Sequence, residues 1–374
     1  MSVAPSRRLI LAALAASGLA SAVRAASGTF DAAVMRSGQG RAPAGVRVYP
    51  DLTSAIAAAP ADRTRPFRIW IGPGIHEGQV VVDKPSVHLV GASRTGSVIN
   101  HLAASGLGGP DGRNWGTTRS ATLFVRAADF RAENLTLNNA FDGLAEMTKP
   151  GGLRSHDGAG PQAVALMLDR GAERSVIRDC DILGYQDTLF ANVGTALFER
   201  CLIVGSYDFI FGAGRVWFEG CEILSRPRPG ETADKMGDGY IAAPSTPIDQ
   251  PFGFVFHRCR LTKEAETAKA SVFLGRPWRP TTTFPDGRYG DPRFVAAASY
   301  LDCWMDDHIA PEGWTEMWYT GRDGNPRTML QPEEVRFSQH GSVGPGAAAF
   351  PRGKTLSDTE AAVVTRAAVI GDLR

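Results

Sequence analysis

The chain has 374 residues, with 40 Lys and Arg against 39 Asp and Glu and a formal net charge of +1. This near balance argues against a basic nucleic-acid-binding surface and against strong electrostatic steering. The 42 glycines and 24 prolines point to many turns between short strands, and 43% hydrophobic content is enough to bury a large core.

Residues 1–26 read as an export signal. Arg7 and Arg8 precede an apolar run from Leu9 to Val23, and Ala20, Ala22, Ala25 and Ala26 offer cleavage points. The stretch around Arg7 and Arg8 also loosely resembles a twin-arginine signal. The apolar run is too short to span a membrane comfortably. Removal takes away Arg7, Arg8 and Arg24 and no acid, so the remainder carries −2. Residues 27–374 are expected to form one secreted or periplasmic domain, monomeric and without a membrane anchor. All five cysteines fall in that remainder and none forms a Cys-x-x-Cys pair, so no zinc site is expected.

Along the chain, residues 46–50 read as a strand. Residues 51–59 read as a short helix with Asp51 or Thr53 near its N-cap, stopped by Pro60. Residues 67–71, 79–82 and 86–90 read as further strands. A recurring segment then appears: an apolar strand, a polar turn with Asn or Cys at one fixed place, and a second apolar strand. It occurs around Asn134, Cys180, Cys201, Cys221 and Cys259. The Cys-to-Cys steps are 21, 20 and 38 residues, the last being nearly two turns or one turn with a long excursion.

A period near 20 with two or three short strands and no helix between them predicts an all-β fold, a single-stranded right-handed parallel β-helix. Leucine-rich repeats need Leu-x-x-Leu-x-Leu in every repeat, and that pattern is absent. Interruptions at 140–160, 226–252 and 279–297 predict long loops that wall a substrate groove. Residues 357–370 read as an amphipathic helix with a Ser357–Glu360 capping box, expected to cover one open end of the coil.

Two aspartates share the period. Asp187 and Asp208 lie 21 residues apart, each seven residues after a cysteine. On adjacent coils their Cα atoms would sit about 5 Å apart. Two carboxylates that close cannot both ionise freely, so one becomes an acid and the other a base or nucleophile. Spacing alone leaves a hydrogen-bonded Asp ladder, a glycosidase pair and an esterase pair all open.

The surrounding residues resemble a known family. Gly184-Tyr-Gln-Asp-Thr-Leu189, Gly205-Ser-Tyr-Asp-Phe-Ile-Phe-Gly212 and Leu274-Gly-Arg-Pro-Trp278 resemble three signature stretches of pectin methylesterases, and Gln162-Ala-Val-Ala-Leu166 a fourth. Segments at 115–122, 238–245 and 281–289 extend the likeness, the last toward the secreted bacterial plant-pathogen type. The resemblance covers roughly residues 40–370.

It implies a metal-free, cofactor-free esterase acting on methyl-esterified homogalacturonan, the pectin backbone. Asp208 would be the nucleophile and Asp187 the acid and base. Gln162 and Gln186 would stabilise the oxyanion, and Arg276 would hold Asp208 ionised. Tyr185, Tyr207, Phe211 and Trp278 could line a sugar groove, and by resemblance Thr117, Arg228, Tyr240, Thr281 and Met317 would also touch the polysaccharide. The likeness further implies a Cys201–Cys221 disulfide; the alternative is an unoxidised ladder of Cys180, Cys201 and Cys221. Tyr207 departs from the family pattern, standing where a Val or similar small apolar residue is usual, and Leu123 replaces a more usual aromatic or Ile. Competing readings are a β-helix glycoside hydrolase, a lyase, an esterase for another substrate, and a non-catalytic pectin-binding solenoid.

Overall fold

The structure, a computed structural model, describes residues 29–36, 40–62, 65–154, 160–228 and 239–373. The export segment expected at 1–26 lies outside the described residues.

Three parallel sheets of twelve, eight and seven strands run the length of the molecule. Each central coil contributes one strand to each sheet, and the end coils add strands mostly to the first sheet. One coil is Ser175–Arg178, Asp181–Leu183 and Leu189–Ala191; the next is Thr195–Glu199, Leu202–Gly205 and Tyr207–Gly212. Within a sheet, neighbours pair in register at the expected offset, Leu197 with Trp217 and Ile203 with Ile223. This is the parallel β-helix, with three strands per turn.

The turn between the first and second sheets explains the repeat. Asn134, Asp179, Arg200, Gly220, Arg258 and Asp302 all take positive φ, the left-handed bend that Asn, Asp and Gly tolerate best. The residue after each, Leu135 or a cysteine, points into the bore and is at most 1% exposed. Its carbonyl accepts from the next coil: Leu202 N–H donates to Cys180 O at 3.0 Å and Glu222 N–H to Cys201 O at 2.8 Å. The tight bend therefore leaves its backbone groups paired.

Inside the bore, like residues stack. Phe198, Phe218, Phe256 and Tyr300 form a column with centroid spacings of 5.1, 4.5 and 4.4 Å. Burying each ring stabilises the fold by about 1.5–3 kcal/mol. Cys180, Cys201, Cys221, Cys259 and Cys303 form another column, and all five are free thiols. The Cys201–Cys221 disulfide is thereby corrected. Side chains at one angular position of a parallel ladder run side by side, about 4.8 Å apart, whereas a disulfide needs Cβ atoms at about 3.5–4.5 Å and a turned S–S torsion. From Cys201 onward each sulfur instead reaches a carbonyl of the preceding coil, Cys201 to Ile177 O and Cys221 to Phe198 O, both at 3.4 Å.

The 38-residue step is one turn with an excursion, because Gly239–Pro244 pairs with Tyr207–Gly212 as the next strand of the third sheet. The coil also continues beyond Cys259, through Ala297–Leu301 and Arg336–His340. The N-terminal helix, Leu52–Ala57, is capped by Asp51, which accepts from Ser54 N–H at 2.7 Å, and it buries Leu52, Ala55 and Ile56 in the end of the bore. The C-terminal segment differs from expectation. It breaks into two helices, Asp358–Ala362 and Arg366–Ile370. Val369, Ile370 and Leu373 pack on Val176, Leu197, Trp217 and Val255. Those residues form the outer face of the first sheet, so this helix seals a flank and not an open end. Its apolar stripe meets an apolar stripe there.

Two antiparallel hairpins stand off the coil: Thr281–Phe284 with Gly287–Gly290, and Met317–Tyr319 with Thr328–Leu330. They touch where Gly290 N–H donates to Thr320 O at 2.7 Å.

Candidate active site

Gln162, Gln186 and Tyr207 lie on successive coils, joined by parallel bridges at the entry to the third sheet. Asp187 and Asp208 directly follow the last two. Asp187 N–H donates to Tyr207 O at 3.1 Å. Both aspartates have positive φ, 64° and 47°, a strained state that persists where surrounding structure enforces it.

At Asp208 the enforcement is visible. Tyr207 pairs with Tyr240 and Ile210 with Ala242, so two residues on one strand face one on the other. The bulge turns Asp208 outward and drops Phe209, fully buried, into the bore. Phe209 fits because position 205 is glycine: a Cβ there would lie 2.2 Å from Phe209 Cβ.

Arg276 follows the strand Val272–Gly275. A Cβ on Gly275 would meet Ala242 O at 2.6 Å, so glycine permits the close approach that anchors Arg276 N–H to Ala242 O at 2.9 Å. Its guanidinium makes two bonds to Asp208, Nε to Oδ1 at 2.8 Å and Nη2 to Oδ2 at 2.6 Å. Both side chains are about nine-tenths covered. A paired, bidentate charge is the form in which buried ions persist. Burial disfavours the Arg276 charge, but the Asp208 charge and its hydrogen bonds outweigh that and strengthen the guanidinium's hold on its proton.

Asp187 has the opposite setting. Burial pushes its carboxyl well above the ordinary carboxylate range, and the Asp208 charge adds to that. Arg276 and a Gln186 side-chain hydrogen bond pull the other way without cancelling it. One carboxyl is thus braced by a bidentate cation and its neighbour favours the protonated form.

The glutamines are oriented too. Gln162 Oε1 accepts from Gly160 N–H at 3.0 Å, which leaves its amide N–H groups to donate elsewhere. Gln186 is buried, and its main-chain carbonyl accepts from Ala163 N–H at 3.0 Å.

Around this centre, Arg276 lies 4.4 Å from the Tyr207 ring centroid and 4.1 Å from that of Tyr240, and Arg228 lies 4.0 Å from that of Tyr207. Phe211 stacks on Phe190 at 4.1 Å, with Trp278 5.8 Å away. Tyr185 is 7% exposed beneath Arg226, at 4.5 Å, and Phe211 is 5% exposed; both back the cleft more than they line it. Thr117 lies in a 3-10 turn, Thr117–Arg119, and Thr281 and Met317 begin the first strand of each hairpin. Sequence reasoning missed Arg226 and Arg279. Arg226 carries Tyr185, and Arg279 lies 4.7 Å over Tyr319 where the hairpins meet. Their adjacency to Arg228 and Trp278 was the available signal. Among the described residues, no group of three or more His, Cys, Asp or Glu is placed to hold a metal ion.

The chain is a parallel β-helix solenoid whose third sheet carries two neighbouring carboxyls, one of them braced by an arginine. The pectinesterase family profile matches residues 41–369. Pectinesterase A of Dickeya dadantii is 37% identical over 328 residues, covering 87% of this chain and 88% of that protein. A pectin methylesterase solved in complex with a hexasaccharide superposes with a TM-score of 0.84 at 37% identity, covering 93% of this chain and 99% of that one. The pectin methylesterase of Yersinia enterocolitica gives 0.79 at 36%, covering 87% and 99%. The chain belongs to the pectinesterase family, and its enzymatic activity is that of a pectinesterase.

Proposed function

We propose that the enzyme hydrolyses the C6 methyl esters of galacturonate units in homogalacturonan, with Asp208 as nucleophile and Asp187 as acid and base. The observation that carries this reading is the unequal pair: Asp208 held by two bonds to Arg276, and Asp187 buried and inclined to keep its proton.

Asp208 attacks the ester carbonyl carbon. The carbonyl electrons move onto oxygen, and the amide N–H groups of Gln162 and Gln186 stabilise that oxyanion. As the tetrahedral species collapses, the C–O bond to the methoxy group breaks. Asp187 gives its proton to the leaving oxygen and methanol departs. Asp208 is now acylated as a mixed anhydride. Asp187, ionised, takes a proton from water, and the resulting hydroxide attacks the acyl carbon. Collapse restores the Asp208 carboxylate, leaves Asp187 protonated and releases the galacturonic acid, whose own proton passes to solvent to give the carboxylate. Arg276 stays charged throughout, because an arginine does not lose its proton in proteins.

The aromatic wall of Trp278 and the Tyr207–Tyr240 pair supports a sugar-binding cleft, with Thr117, Arg228, Thr281 and Met317 as outlying polysaccharide contacts. The basic, apolar amino-terminal segment supports export, with removal near residue 26; N-terminal sequencing of secreted protein tests this. The activity is tested by methanol release from highly methylated pectin, with Asp208→Ala alongside. Loss of methanol in the variant is expected. New reducing ends without methanol would instead identify a glycosidase.

A further inference from the structure

Tyr207 is a bulky aromatic at the bulge that turns Asp208 outward. It sits between Gln186 on one coil and Tyr240 on the next, one position before Asp208. Two guanidinium carbons approach its ring: Arg228 at 4.0 Å and Arg276 at 4.4 Å from the centroid. The Tyr240 ring meets it edge-on, at 4.8 Å and 83°, and is itself 4.1 Å from Arg276.

We propose that Tyr207 is a positioning residue whose ring holds two guanidinium groups at once, Arg276 against Asp208 and Arg228 beside it. Two like charges drawn to one place repel. An aromatic face is electron-rich and attracts both, most strongly where water is excluded. For Arg276 this has a geometric consequence. Its two bonds to Asp208 require the guanidinium plane to stay in line with the carboxylate. Contact with two rings set at right angles restricts its rotation and sliding. An aliphatic side chain at 207 would fill similar space but offer no electron-rich face. The inference rests on Asp208 being the nucleophile: the ring acts on the reaction through Arg276, and on binding through Arg228.

The test compares Tyr207→Leu and Tyr207→Phe by methanol release from highly methylated pectin, with melting temperature confirming folding. Leu keeps apolar volume and Phe keeps the ring face. Leu should lower kcat about tenfold, the factor expected from one lost cation–π contact in a desolvated site, and raise KM about threefold through Arg228. Phe should restore kcat to within about threefold of wild type. Adding Arg228→Gln to the Leu variant should raise KM less than Arg228→Gln does alone, because the two act as a unit. A Leu variant with wild-type kcat would overturn the proposal. So would a Phe variant as slow as Leu, which would assign the effect to the hydroxyl. If Leu does not fold, Phe and the Arg228→Gln cycle in the Phe background decide: near-wild-type kcat in Phe with strict additivity of KM supports the ring, and a coupled KM assigns the contact to the hydroxyl and rejects it. Asp208→Ala, run in parallel, separates the two levels. If it still releases methanol, the nucleophile assignment fails and the inference with it. If it is inactive while Leu is unaffected, only the role of Tyr207 falls.

Discussion

Two columns of the coil are built by the same repeat and differ in everything chemical. The cysteine column, Cys180 to Cys303, points into the bore, and its thiols meet backbone carbonyls and one another. Burial pushes the Cys180 thiol up to about 12, which makes it inert as a nucleophile. Seven residues on, the turn carrying Asp187 and Asp208 points outward beneath the loops. There a bulge, an arginine and two glutamines surround the carboxyls. Periodicity stacks residues of either kind equally well. Reactivity depends on what the neighbouring coils and loops bring to the stacked position.

The sharpest way to break this contrast is at the carboxyls. Asp208→Ala should remove methanol release, by at least about 10³-fold, with little change in far-UV circular dichroism. Asp187→Asn should come close to it, since Asn neither gives nor takes the proton. Gln186→Ala should cost about 10²–10³ in kcat, the usual loss for one oxyanion donor. An unchanged kcat would remove Gln186 from that role.

The cysteine column should respond in stability and not in rate. Cys201→Ala should lower stability by about 1 kcal/mol, a small cavity in a packed core, with kcat retained. Dithiothreitol should leave the wild-type melting temperature where it is. A disulfide closing a loop of this size would be worth about 3 kcal/mol, so a clear drop under reductant would reject the thiol ladder.

The smallest effect is the most specific to Asp187. Its folded carboxyl binds a proton more tightly than its unfolded one. Between those two points the native state holds more protons, so its contribution to stability falls as pH rises. Asn does not titrate. The melting temperature of Asp187→Asn relative to wild type should therefore be near its minimum below about pH 4 and grow as pH rises. A difference independent of pH would mean that Asp187 is not perturbed.

Much of this was legible in the chain itself. The period appeared in Cys180, Cys201 and Cys221 because each must fill the same slot after the same left-handed turn. Asp187 and Asp208 were placed on adjacent coils because local spacing maps directly onto the ladder, and the signature stretches around them marked the candidate site by resemblance. Arg276 was readable only through resemblance, since 68 residues separate it from Asp208. The later coils were hidden: Cys303 carries the same marker after Asp302, but the long excursion that separates it from Cys259 breaks the period. The hairpin at Met317 was missed for the same reason.

By itself, then, the sequence determined the repeat, the stacking of the two aspartates and the residue types around them. All of these follow from short-range spacing in a regular backbone. Only the tertiary structure decided that the cysteines stay thiols, that the last helix covers a flank, and which carboxyl is braced by the arginine. Those outcomes depend on side-chain direction, apolar complementarity and the distance to a cation, and none of the three is a function of position along the chain.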